Sequence, residues 1–402
     1  MLANWRIKAF ARQHSVGHKS GKIMIGARLQ QIISLGLCLL ALTSCVVAKP
    51  KEARPYSLGV ADILSGTAIV GREVKDDELP SVDLFAVTPE MEVFARQAIS
   101  RSESYFDKVK DLHIALLSSR SGGHGIVYSA YVTEVPIVTF QQRRANCLSF
   151  TLLYVALARS VGIKAYVNEV QIPPTWDLRK KKDMVFLRHV NVKVPIMMPN
   201  VSMVKRDEVV IDLEMDRYKS NYNQHEISDV EAEAQFHSNR AMEYLEQQDL
   251  TASFLSLRKS IQLNDQQSYV WSNLGALYGR KKLWREAEVA YMHALELNPE
   301  DLTVRNNLAY LYGQTGDKEK AQKYYRLAQR YRDSNPFFQY SVAISAYEHG
   351  DYEAALQYVQ RAIAREKDDV RFYQLAADIN EKLGRGNKVE QMKNKIKKLK
   401  PQ

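Results

Sequence analysis

The spacing of apolar and polar residues divides the chain into segments of different character. An apolar run from Ile32 to Leu42 comes first, too short to span a bilayer. Residues 46 to about 80 are mixed and polar, with Lys49, Pro50, Lys51, Glu52 and Pro55, and predict a tether over 45–80. Thr88 and Pro89 then fit a helix N-cap and first helical position, followed by Met91, Phe94, Ala95, Ala98 and Ile99 at helical spacing. A second amphipathic segment covers 104–117, and after the turn at Ser121, Gly122 and Gly123 the stretch Ile126 to Thr133 is β-rich. From Cys147 to Val161 the chain is apolar nearly all round, which predicts a central buried helix ended by Gly162. Strand-like runs follow at 163–172, 184–194 and 209–214. A helix with strands on one side of it predicts an α+β domain over 81–225.

From about 230 the pattern is helix alone, and a period near 34 residues emerges. Trp271, Leu274, Gly275, Tyr278, Ala287, Tyr291, Ala294 and Pro299 match the signature positions of the tetratricopeptide repeat, which this unit closely resembles. The next unit keeps Leu308, Tyr312, Gly316, Ala321, Tyr325 and Ala328 but reaches Asn335 and Pro336 three residues late. A weaker unit precedes them (Ala241, Tyr244, Asp249, Leu263), one with Gly350, Asp351, Ala355 and Ala362 follows, and a degenerate one starts near Tyr373. The resemblance implies an all-α superhelix over 231–402 whose concave surface holds a protein or peptide partner, a rigid spacer or dimerisation face being the plainer alternative.

Composition narrows the class. The 402 residues are 46% apolar and 25% charged, which excludes a disordered or fibrous chain. A mean hydropathy of -0.34 excludes a polytopic membrane protein. The formal net charge of +10 invites a nucleic-acid reading, but the charge is unevenly placed. Residues 1–44 carry Arg6, Lys8, Arg12, Lys19, Lys22 and Arg28 with no acid, and residues 382–400 carry a further +7 around the lone Glu390. The body between them is slightly acidic, so no nucleic-acid partner is expected.

The basic start, the short apolar run and the small residues Thr43 and Ser44 make residues 1–44 a secretory leader, with Met1 or Met24 as its start. Leu42, Thr43, Ser44 and Cys45 resemble the lipobox of bacterial lipoproteins. That resemblance implies lipidation at Cys45, a membrane contact through the lipid, and a periplasm-facing envelope location in a Gram-negative bacterium. Val46 after the cysteine favours the outer membrane. An ordinary cleaved signal peptide or a membrane anchor with a chance Cys is the alternative.

Of the three cysteines, Cys38 lies in the leader and Cys45 at the lipobox, which leaves Cys147 as a thiol with no intramolecular disulfide partner. It opens the predicted central helix, where the positive end of the helix dipole favours a thiolate. An imidazole to take its proton and a carboxylate to hold that imidazole would complete a nucleophilic triad. The segment from Thr139 to Val167, with Asn146-Cys147 and Ala158-Arg159-Ser160-Val161-Gly162-Ile163, resembles the core motif of the transglutaminase-like superfamily. The resemblance spans about 85–220 and implies a His and then an Asp on following strands, in a transglutaminase-like or papain-like cysteine-enzyme fold. His189 and Asp212 stand in that order, 42 and 23 residues on, with Asp207 and Asp216 as rivals to Asp212.

Gln141 or Gln142 is the candidate oxyanion donor by analogy with papain-like enzymes, a surface glutamine being the plainer reading. His124 reads as a turn residue, and the loop Arg179, Lys180, Lys181 and Lys182 as a solvated hairpin tip. Ala145 replaces the family's frequent Gly, and Val190-Asn191 its frequent Ala-Trp. No metal-ligand spacing or phosphate loop occurs, so neither metal nor cofactor is expected. The leading expectation is a lipid-anchored cysteine enzyme acting on amide bonds of proteins or peptides, by hydrolysis or by crosslinking. The alternative is a catalytically inactive envelope scaffold that uses its repeats for protein binding. Oligomeric state is not encoded in any of these patterns.

Overall fold

The computed structural model describes residues 58–119, 123–129, 132–171, 175–177, 182–185, 188–196, 207–213 and 222–399. The leader, Cys38, Cys45, Asp216 and most of the Arg179 to Lys182 loop lie outside the described residues. In chain order the elements are α1 (Val60–Leu64), α2 (Thr67–Val70), a 3-10 turn (Asp76–Glu78), α3 (Pro89–Ala98), α4 (Tyr105–Leu117), β1 (Val127–Tyr128) and α5 (Pro136–Gln142). Next come β2 (Arg144–Ala145), α6 (Cys147–Ser160), β3 (Tyr166–Gln171), β4 (Thr175–Asp177), β5 (Lys182–Val185), β6 (Arg188–Ile196), β7 (Asp207–Ile211) and β8 (Gln224–Ile227). The remainder is helical: α7 (Asp229–Glu246), α8 (Leu250–Leu263), α9 (Ser268–Arg280), α10 (Trp284–Leu297), α11 (Leu302–Thr315), α12 (Lys318–Ser334), α13 (Pro336–Glu348), α14 (Tyr352–Arg365), α15 (Val370–Lys382) and α16 (Gly386–Leu399). None of the described helices is long and apolar enough to cross a membrane.

Helix α6 is the centre of the α+β part. Asn146 caps it by accepting the Ser149 N–H at 2.8 Å, and every residue from Leu148 to Ala158 is buried. Gly162, at φ 78°, takes the left-handed conformation that ends it. The helix packs on a four-stranded antiparallel sheet of order β7-β6-β3-β8. Val190, Val192 and Val194 of β6 join the helix's leucines in one core, so alternate residues of β6 are directed to the other face. The strands β3, β6 and β7 occupy the three predicted runs, whereas β8 is a fourth strand with no apolar signature of its own. Among its described residues, the stretch 126–133 contributes the two-residue β1, paired in parallel with β2.

The tether expected over 45–80 is not one throughout. From residue 58 the chain is folded, with Ile63, Ile69, Val74 and Leu79 buried in the same core as Phe254, Trp271 and Tyr278. Four apolar residues at wide spacing sufficed because the repeats supply the rest of that core. Polar bonds fix the segment further: Tyr278 Oη donates to the Ile63 carbonyl, Lys281 Nζ to that of Ala68 at 2.8 Å, and Arg258 pairs with Asp76 at 2.7 Å.

From α7 onward the helices pack as five antiparallel pairs. Helix α12 has 17 residues where α10 has 14, which accounts for the late Asn335 and Pro336: they cap and open α13 one helix on. Helix α7 belongs to two cores, giving Ala232 and Phe236 to the sheet domain and Ala241, Met242 and Leu245 to the repeats.

Candidate active site

Three elements bring the predicted side chains together. Cys147 is the first residue of α6, His189 the second of β6, and Asp212 follows directly on β7. β7 pairs with β6 only from Val192 to Ile196. Beyond the end of β7, the β6 backbone is met by α6 instead: Thr151 Oγ1 donates to the Val190 carbonyl at 3.3 Å, and the Val190 backbone helps to lower the Cys147 pKa. The interrupted ladder is what admits the helix terminus to the strand.

His189 Nε2 lies 2.5 Å from Asp212 Oδ2, with 6% of His189 and 2% of Asp212 exposed. His189 and Cys147 interact closely enough to shift each other's titration, and with Nε2 turned to Asp212, Nδ1 is the ring nitrogen left for the thiol. Burial disfavours the imidazolium, but the hydrogen bonds and charges of Asp212 and Cys147 outweigh it and push the His189 pKa up to about 10. Burial likewise pushes the thiol up, yet the His189 hydrogen bond and charge and the Val190 backbone bring Cys147 below its ordinary value. The pair therefore favours thiolate and imidazolium, the ionic form of a thiol nucleophile.

Asp212 is itself held. Asn191 Nδ2 donates to its Oδ2 at 3.3 Å, Asn168 Nδ2 donates to Asn191 Oδ1 at 2.8 Å and to Gln224 Oε1 at 3.0 Å, and His113 Nε2 meets the Asp212 backbone carbonyl at 3.2 Å. His113 is partly buried against Phe150 and Tyr154, and burial lowers its pKa, which suits a neutral donor. Asn168 and His113 carry no motif in the sequence, where Asn191 stands out as a departure from a family pattern. Their one signal was a polar residue in an otherwise apolar strand or helix, where it must find a partner.

The other candidates are elsewhere. Asp207 opens β7 opposite Ile196, the far end of the strand from Asp212. Gln141 and Gln142 are exposed at the C-terminal end of α5, and the structure does not join either to the trio. His124 lies outside helix and strand and is buried, stacked on Phe140 with ring centroids 3.8 Å apart and bonded to the Phe140 carbonyl at 2.5 Å. Among the described residues, no group of three or more His, Cys, Asp or Glu is placed to hold a metal ion.

Two family models, both described as tetratricopeptide repeat, match residues 268–301 and 290–323. The C-terminal region carries tetratricopeptide repeats. Repeats of this kind are generally protein-interaction modules, and the matched residues run from α9 through α11 into the start of α12. No curated protein matches the chain. Among solved structures, PilF of Pseudomonas aeruginosa is similar at 20% identity and a TM-score of 0.24, over 42% of this chain and 77% of that one. PilW, described as a widely conserved type IV pilus biogenesis factor, is 16% identical with a TM-score of 0.25, over 43% and 79%. YrrB, described as a TPR protein with an unusual peptide-binding site, is 15% identical with a TM-score of 0.24, over 42% and 87%.

Proposed function

We propose that the chain is a cysteine acyl-transfer enzyme of transglutaminase-like architecture, acting on amide bonds of a protein or peptide that its repeats recruit. The observation that carries this reading is the position of His189, whose Nε2 is 2.5 Å from Asp212 Oδ2 and whose titration is coupled to that of Cys147 at the start of α6. In the reaction the Cys147 thiolate attacks the amide carbonyl and forms a C–S bond. The C–N bond then breaks as the imidazolium of His189 gives its proton to the leaving amine. Water, or a second amine, attacks the resulting thioester while His189 takes its proton, and the thiolate leaves. Asp212 orients the imidazole and balances its charge throughout. The positive end of α6 favours both the thiolate and the oxyanion beside it.

The acyl-transfer step is tested with p-nitrophenyl acetate as a generic acyl donor. A burst of nitrophenolate close to one equivalent per chain, absent in Cys147→Ser, is expected. No burst, or one that survives Cys147→Ser, counts against the reading. Lipidation at Cys45 is the expected anchor, holding the chain at the periplasmic face of the outer membrane; labelled palmitate should be taken up by the wild type and not by Cys45→Ser, and uptake by the variant refutes it.

A second reading has its own support. The repeats are what the family models match, and protein binding alone would make the chain a scaffold whose Cys147, His189 and Asp212 only stabilise the domain. That reading predicts no acyl burst and full partner binding by Cys147→Ser.

A further inference from the structure

The segment Val132 to Glu134 lies between the start of α6 and helix α7, and bonds to both. On the α6 side, Asn146 Nδ2 donates to Thr133 Oγ1 at 2.8 Å, the Glu134 N–H donates to Ser149 Oγ at 2.9 Å, and Ser149 Oγ donates to the Val132 carbonyl at 3.4 Å. Asn146 and Ser149 are the N-cap and third residue of the helix that Cys147 opens. On the α7 side, the Thr133 N–H donates to Glu243 Oε1 at 2.8 Å, and Arg240 Nη1 reaches the Thr133 carbonyl at 3.4 Å. Glu243 and Arg240 are themselves paired at 2.8 Å, with Glu134 at 3.5 Å from Arg240 and the Tyr244 hydroxyl at 3.1 Å.

Thr133, Asn146, Ser149 and Glu243 are all buried. A buried donor that loses its acceptor carries the full cost of desolvation, so this chain of bonds shifts as a unit and not link by link. Its outer end is on the first helix of the repeat array; its inner end sets the cap beside the thiol.

We infer that Glu243 is a positioning residue for Cys147: through Thr133 and Asn146, the first repeat helix sets the N-terminus of α6 and with it the reactivity of the thiol. This rests on the acyl-transfer reading. It makes α7 a mechanical link, so a partner that shifts the first repeat would change the state of the thiol.

The test is the pH dependence of Cys147 alkylation by iodoacetamide in the full chain, for wild type, Glu243→Ala and Glu243→Gln. Glu243→Ala should react about tenfold more slowly at pH 6, with its profile moved to higher pH, as expected when a supporting partner of a reactive group is lost. Glu243→Gln keeps an oxygen that accepts the Thr133 N–H and should stay within about twofold of wild type. Profiles identical to wild type in Glu243→Ala, or an equal loss in both variants, overturn the inference. If circular dichroism finds Glu243→Ala unfolded, Thr133→Val takes its place: it removes the Asn146 acceptor, leaves the N–H to Glu243, and should show the same slowing, while a wild-type rate overturns the inference. A wild-type Cys147 no faster than free cysteine at pH 6 would instead remove the acyl-transfer reading beneath it.

Discussion

At the scale of single residues, the site turns on the sign of two opposed effects. Burial alone would raise the Cys147 pKa and lower that of His189; their interaction with each other, and that of His189 with Asp212, moves both the other way. The direct charge of Asp212 works against the thiolate, so its favourable effect comes through His189. Cys147, His189 and Asp212 were legible in the sequence because each residue type has few roles in an apolar setting, and their order matched a known motif. The supporting residues were not. Thr133 and Glu243 are 110 residues apart, and a bond of that separation leaves no local pattern. Asp212 stands out from Asp207 in the sequence by its place in the apolar run 209–213, and β7 sets Asp207 at its opposite end.

At the scale of elements, repeat signatures report packing. Gly275 is set so close to the Tyr291 ring that a Cβ there would collide with it, whereas Gly313 in α11 faces open space. Gly275→Ala should therefore cost about 1–3 kcal/mol by overpacking and lower the melting temperature. Gly313→Ala should leave it unchanged or raise it, by up to about 1 kcal/mol of helix propensity. Equal effects in thermal melts would contradict the packing assigned to α9 and α10. The repeat helices were readable because their periodicity is local and strong. Strand β8 and the folded segment at 58–79 were not, since a short strand and a few scattered apolar residues gain their order only from the surfaces they meet.

At the scale of the molecule, the described residues between 58 and 399 form one folded body in which α7 is shared between the sheet domain and the repeats. The net charge of +10 is concentrated in residues 1–44 and 382–400, and the residues between them are slightly acidic. This arrangement places a candidate thiol site and a binding array on one scaffold, and the central claim is that the thiol is activated there. The most direct measurement is the rate of Cys147 alkylation by iodoacetamide against pH in the folded chain, beside His189→Ala. The predicted midpoint for wild type falls below the value of about 8.5 for a free thiol, and moves up in His189→Ala. A Cys147 that is inert in the folded chain, or that titrates as an ordinary thiol with or without His189, would contradict the account.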